Sequence, residues 1–170
     1  MDHFWHNIDD VQFEQIAIDY ANSILPEWKW KGTKQTRDGG KDGTAVIFDQ
    51  RTKIGQIKKE AWVEAKYTKN YKHALPLSRI ASTVLIGHNK RDLVEILLIV
   101  TNASFSENTT HEIHLLLGNH VFFVTGKELQ LWLQDDNQAW IRDKYSLHGQ
   151  YHCRNEVFSL IGKPLIIKQD

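Results

Sequence analysis

Only one cysteine, Cys153, occurs in the 170 residues, so the chain can form no internal disulfide. Long apolar runs are also missing. The longest, Ile96 to Val100, is far too short to span a bilayer. The first residues are acidic and aromatic (Asp2, Phe4, Trp5, Asp9, Asp10) and lack the basic segment and apolar stretch of a secretory signal. Together these absences predict a cytoplasmic protein with no membrane association. In that compartment the sequons at Asn102 and Asn108 carry no meaning, because glycosylation needs the secretory route. No phosphate-cradling Walker loop and no dinucleotide fingerprint is present. What is present is 41% apolar and 25% charged residues, ordinary for a globular domain with one well-buried core.

The formal net charge of zero hides a segregation. Residues 1–28 hold six acids and no Lys or Arg, whereas residues 29–79 hold thirteen bases against five acids. A basic field of this kind suits a site that handles a polyanion, since neutralising phosphates dominates nucleic-acid affinity. A lysine-rich, solvated sheet edge that discourages aggregation would produce the same composition.

Within the basic region lies Asp38-Gly39-Gly40-Lys41-Asp42-Gly43, then an apolar strand from Thr44 to Phe48, a polar connection, and Ala61 to Tyr67. Side chains alternate along a strand, so Glu64 and Lys66 share one face, roughly 7 Å apart, while Val63, Ala65 and Tyr67 take the other. Antiparallel return of the first strand on the second would bring Asp42 beside Glu64 and Lys66. Two carboxylates and a lysine are then gathered, although Asp42-Gly43 alone reads simply as a turn.

Around this hairpin the elements follow from periodicity. Asp9 with Gln12 caps a helix whose stripe is Phe13, Ile16, Ala17, Tyr20, Ala21 and Ile24, stopped by Pro26, with Glu14 at the margin of the stripe. A strand is expected within Trp28 to Thr36, where Trp28 and Trp30 either stack on bases or cover a sheet edge. A helix from Pro76, carrying Leu77, Ile80, Ala81, Val84 and Leu85, is expected to stop at Gly87. Leu93 to Val100 reads as a strand buried on both faces, and Ser106 to Leu117 as a helix closed by Gly118. His120 to Val124 is a further strand, and Thr125 with Glu128 forms a capping box ahead of Leu129, Trp132 and Leu133. One more helix is suggested by Trp140, Ile141, Tyr145 and Leu147. The order predicts a mixed α/β sheet, an antiparallel meander followed by parallel crossover strands, with helices on both faces. The ending Leu165 to Asp170 reads as a strand with no closing element, which suggests a piece of a longer protein or an exchangeable terminal segment.

Taken together, Phe13-Glu14 on the opening helix, Asp38-Gly39-Gly40-Lys41-Asp42, Glu64-Ala65-Lys66, and Val100-Thr101-Asn102 with Phe105 beyond resemble the PD-(D/E)xK nuclease superfamily, and within it the Mrr-type restriction endonuclease domains. The resemblance spans roughly residues 10–135. Lys41 replaces the leading proline of the motif, and Glu64 stands where many Mrr-type domains have Gln. It implies a restriction-endonuclease-like fold, a nuclease domain over 1–135 and a C-terminal extension over 136–170, the latter a linker or the start of another domain. It also implies a divalent-metal-dependent DNA endonuclease serving prokaryotic restriction or antiviral defence. The alternative is a catalytically silent nucleic-acid-binding or assembly module with the same fold.

The residue types fit such chemistry. Asp42 and Glu64 offer hard oxygen ligands for Mg2+ or Mn2+, Lys66 would hold or help deprotonate the attacking water and screen the phosphate, and Glu14 would orient Lys66, a metal-bound water or a second ion. Lys41, Lys58, Lys59, Lys69 and Lys72 are the candidate contacts to double-stranded DNA. One such cluster attacks one strand, so a homo-oligomer or a fused sensor or oligomerisation domain is the expected partner. His111 and His114 lack the HExxH zinc spacing, and His148, His152 and Cys153 have no second cysteine pair beside them.

Overall fold

The computed structural model describes residues 4–33, 41–48 and 57–147. Asp38-Gly39-Gly40, most of the Gln50–Glu60 connection, His148, His152, Cys153 and the C-terminal apolar segment lie outside the described residues, as does the side chain of Lys58.

Helix α1, Asp10–Ile24, starts at a capping box: Asp9 Oδ1 accepts from the Gln12 amide at 2.7 Å, and Gln12 Oε1 accepts from the Asp9 amide at 3.1 Å. Phe13, Ile16, Ala17 and Ala21 are buried as their spacing predicts. Ile24, expected in the stripe, is 36% exposed, and Ile18 is buried in addition. The cause is the chain beneath it. Strands β1, Lys31–Gly32, and β2, Gly43–Phe48, pass under α1, and glycines at 32 and 43 leave room for the Ile18 side chain. A Cβ at Gly43 would stand 3.0 Å from Ile18 Cγ1.

Of the strand expected over 28–36, only residues 28–33 are described, and among these it comprises the two residues of β1. Pro26–Trp28 forms a 3-10 turn and Lys29 adopts a left-handed conformation, so the chain is not yet extended. Trp28 and Trp30 are buried, and the Trp30 indole donates to the Leu25 carbonyl, which makes both core residues and not base-stacking platforms.

Strand β3, Ile57–Lys66, pairs antiparallel with β2 and parallel with β5, Val94–Thr101, which in turn pairs parallel with β7, Val121–Val124. The sheet order β1-β2-β3-β5-β7 is the antiparallel meander followed by parallel crossovers that the pattern predicts. Two short strands not foreseen, β4 (Ala74–Leu75) and β6 (Ser104–Phe105), form a separate parallel pair.

The crossovers run through α2, Ala81–Asn89, and α3, Glu107–Leu117, while α4, Gly126–Gln134, and α5, Ala139–Lys144, follow β7. Alternation divides the core in two. Ala61, Val63, Ala65, Ile96, Leu98 and Val100 pack with residues of α1, α4 and α5. Trp62, Val94, Leu97 and Ile99 pack with Ile80, Val84, Ile113 and Leu117 on the other face. Gly87 does not end α2 but lies buried within it, where a Cβ would stand 3.4 Å from Leu97. Leu85, expected on the stripe, is 56% exposed. Ile141 and Leu147 join the first core and Arg142 donates to the carbonyls of Leu133 and Asp135, so residues 139–147 pack against the sheet domain. Among the described residues no helix is long and apolar enough to cross a membrane.

Candidate active site

The β2–β3 register pairs Gly43 with Val63, which places Asp42 one step further along, opposite the Glu64 end of β3. The Asp42 amide donates to the Val63 carbonyl at 2.8 Å, and its Oδ2 accepts from the Ala65 amide at 2.6 Å. Asp42 thus continues the ladder with its side chain where the backbone pairing stops. On β3, Glu64 Oε1 is ion-paired with Lys66 Nζ, as side chains two apart on one face allow. Glu64 is 1% exposed, and its Oε2 has no hydrogen-bond partner among the described residues.

Electrostatics follow from this burial. Desolvation raises the Glu64 carboxyl to about 7; the Lys66 ammonium pulls it down, Asp42 pushes it up, and a hydrogen bond with the Thr83 hydroxyl lowers it. Asp42 is raised by burial, against the Ala65 amide and Lys66. Glu14 is raised by burial and then by Asp42, with Lys66 acting against both. Three carboxyls held above their ordinary range around one lysine form a site short of positive charge.

A cleft of about 130 Å³ opens here, lined by Asp10, Glu14, Asp42, Ala65, Lys66, Tyr67 and Arg79. Glu64 does not line it but is buried and paired with Lys66, which does. The structure therefore brings together Glu14, Asp42, Glu64 and Lys66, from α1, the start of β2 and the end of β3.

Of the candidate DNA-contacting lysines, the four whose side chains are described do not line the cleft. Lys41 reaches Glu60 at 4.0 Å and covers the Trp62 ring at 4.6 Å, and Lys59 pairs with Glu95 at 3.5 Å. Lys69 and Lys72 are exposed in the segment after β3. His111 and His114 are exposed on α3, with His114 Nδ1 3.1 Å from the Gly118 carbonyl, and the described residues contain no group of three His, Cys, Asp or Glu that could hold a metal ion.

Three residues near the cleft had no role assigned from sequence. Thr101 Oγ1 donates to the Lys66 carbonyl at 2.8 Å. Asn102 accepts from the Thr68 amide at 2.8 Å and donates to the Thr68 carbonyl at 2.7 Å, tying the chain after Lys66 to the end of β5. The Thr101-Asn102 pair was visible as a motif, but its hydrogen bonds depend on the parallel β3–β5 register, which pairs Lys66 with Thr101. Arg79 reaches the cleft from a 3-10 turn 13 residues after Lys66, and no spacing in the sequence signals that approach.

A mixed sheet covered by helices on both faces, with an Asp and a Glu-x-Lys strand meeting at its end, defines an α/β domain of the restriction-endonuclease-like class. A family model described as Restriction endonuclease, the Mrr catalytic domain, matches residues 5–133, and the chain belongs to that family. Comparison with curated proteins and with solved structures gives no significant match.

Proposed function

We propose that the chain is a divalent-metal-dependent DNA endonuclease in which Asp42 and Glu64 hold Mg2+ or Mn2+. The observation that carries this reading is the buried Glu64 carboxylate, with one oxygen on Lys66 and the other unpartnered, beside the carboxyl of Asp42. A buried oxygen without a donor costs on the order of 1–3 kcal/mol and needs a compensating partner. Two carboxylates without a third protein ligand fit Mg2+, which keeps waters and takes substrate phosphate oxygens into its shell. When bound, the ion supplies Lewis-acid stabilisation of the phosphoryl group and lowers the pKa of the attacking water.

The chain's own groups do the rest. Lys66, on the cleft wall, offsets charge developing on the phosphate and orients the water by hydrogen bonding. Glu14, across the cleft on α1, fixes the Lys66 ammonium or accepts a proton from the water. Thr101 holds the Lys66 backbone in place. Lys41, Lys58, Lys59, Lys69 and Lys72 supply the basic field that draws DNA in. Double-strand cutting would need a second copy or an attached assembly domain, and a cytoplasmic role in restriction or antiviral defence fits such an enzyme.

The test combines plasmid cleavage with calorimetry in Mn2+. Asp42→Asn and Glu64→Gln are expected to lose both cleavage and metal binding, whereas Lys66→Ala loses cleavage with metal still bound. Absence of divalent-dependent cleavage by the wild-type chain would reduce the function to nucleic-acid binding or assembly. Loss of metal binding in Lys66→Ala would sink the division of roles.

A further inference from the structure

Arg79 forms part of two adjoining hollows of opposite character. The first is the carboxylate cleft described above. The second, about 140 Å³, is lined by Thr68, Asn70 and His73 together with Arg79 and an apolar floor that includes Leu75. Among the described residues no carboxylate lines it. Its volume is well below the several hundred Å³ of pockets that enclose whole small molecules, so it suits a single charged group presented by a larger ligand. Its polar groups are the donor-only guanidinium and three that can donate as well as accept, the Asn70 side-chain amide, the Thr68 hydroxyl and the His73 ring; the Thr68 hydroxyl also accepts from the Asn70 backbone amide at 3.1 Å.

The position of this hollow is fixed with respect to Lys66. Thr68 lies two positions beyond Lys66, at most roughly 7 Å of chain, on the order of the spacing between successive phosphates of one strand. Asn102 locks both backbone groups of Thr68, and the far wall is held by the pairing of β4 with β6, where Leu75 is buried. Arg79 is exposed and engages the Tyr67 carbonyl only at 3.5 Å, so its planar fork remains available for bidentate contact with an oxyanion.

We propose that the hollow bounded by Thr68, Asn70, His73 and Arg79 seats a phosphate of the DNA strand being cut, next to the scissile one, with Arg79 as its principal contact. The inference rests on the nuclease reading and adds a binding subsite to it. The seat sets the register of the strand over Lys66 without taking part in bond breaking.

The test measures duplex DNA affinity by fluorescence anisotropy in Ca2+ across a salt series. Arg79→Ala is expected to bind about tenfold more weakly, with the log-log salt slope flatter by about 0.9, the value for one lost phosphate contact. Arg79→Lys keeps the slope and loses part of the affinity, since charge survives and the fork does not. Asn70→Asp, which puts a carboxylate into the hollow, weakens binding several-fold. Wild-type slope and affinity in both Arg79→Ala and Asn70→Asp would overturn the proposal. A wild-type chain that cuts no DNA yet shows this Arg79 slope refutes cleavage and keeps the seat. One that cuts while Arg79→Ala retains the full slope refutes the seat alone.

Discussion

Strand β3 carries two glutamates that each pair with a lysine, an inner pair of Glu64 with Lys66 on the same strand and an outer pair of Glu60 with Lys41 from just before β2. In each, the lysine side chain is 22% exposed, Lys41 against Glu60 and Lys66 against Glu64. The glutamates differ. Glu60 is 20% exposed and accepts a 2.7 Å hydrogen bond from the Trp62 indole, whereas Glu64 is 1% exposed with an oxygen left over. The outer pair is a screened surface contact worth little. The inner pair combines desolvation, a second carboxylate and incomplete hydrogen bonding, a costly arrangement that folding stability alone does not require. What separates a candidate site from a surface pair is the environment of the acid, not the identity of the residues.

The largest effect expected from this contrast is a pH dependence of stability confined to the inner end. Glu64 rises from an ordinary value of 4.5 to about 7 in the folded chain, and burial raises Asp42 and Glu14 in the same direction. Between those two pH values the folded state binds more protons than the unfolded one, so stability falls as pH rises through this window. For Glu64 alone the loss is on the order of 3 kcal/mol. Urea unfolding without divalent metal at pH 5, 6 and 7.5 should therefore show decreasing stability. Glu64→Gln should flatten most of that slope and be more stable than wild type at pH 7.5, while saturating Mn2+ should restore stability in the wild type. A slope that survives Glu64→Gln unchanged would place the dependence elsewhere.

An intermediate effect is expected from the support behind the inner end. Asn102 is 3% exposed and satisfies both backbone groups of Thr68. Asn102→Ala leaves a buried donor and acceptor unpaired, at a cost of about 2 kcal/mol. It also frees the chain beside Lys66, so cleavage per folded molecule should drop about tenfold. Thermal unfolding and single-turnover cleavage, compared at a temperature where both proteins are fully folded, separate the two consequences. An Asn102→Ala protein of normal activity would show that Lys66 is held by β3 alone.

Periodicity and capping made most of the fold legible. The capping boxes at Asp9 and Thr125, the apolar run of β5 and the alternation along β3 each prescribe local structure with few competitors. The errors fell where the tertiary neighbour decides. Gly87 reads as a helix stop, yet its lack of a side chain serves contact with Leu97, and α2 runs on to Asn89. Trp28 and Trp30 flank Lys29 in sequence, yet with Lys29 left-handed both rings are buried. For the site, strand alternation was enough to join Glu64 to Lys66, and hairpin return was enough to bring in Asp42. Arg79 and the hydrogen bonds of Asn102 were not legible, because they depend on crossover register and on a 3-10 turn that periodicity does not encode.

The smallest effect is expected at the outer pair, and it tests the contrast from the other side. Glu60→Gln removes the charge that faces Lys41 at 4.0 Å but keeps an amide oxygen able to accept from the Trp62 indole, and Lys41 retains its place over the Trp62 ring. A half-buried but solvent-reached ion pair of this length contributes less than about 0.5 kcal/mol, and no other group among the described residues loses a partner. Urea unfolding should then shift by no more than that amount, with the same value at pH 5 and pH 7.5, and initial cleavage rates should match wild type within about twofold. High salt should erase even the small stability difference, because the pair is solvated. A tenfold loss of cleavage in Glu60→Gln would mean that the outer pair is coupled to the site along β3, and that burial of the acid is not what distinguishes the two ends.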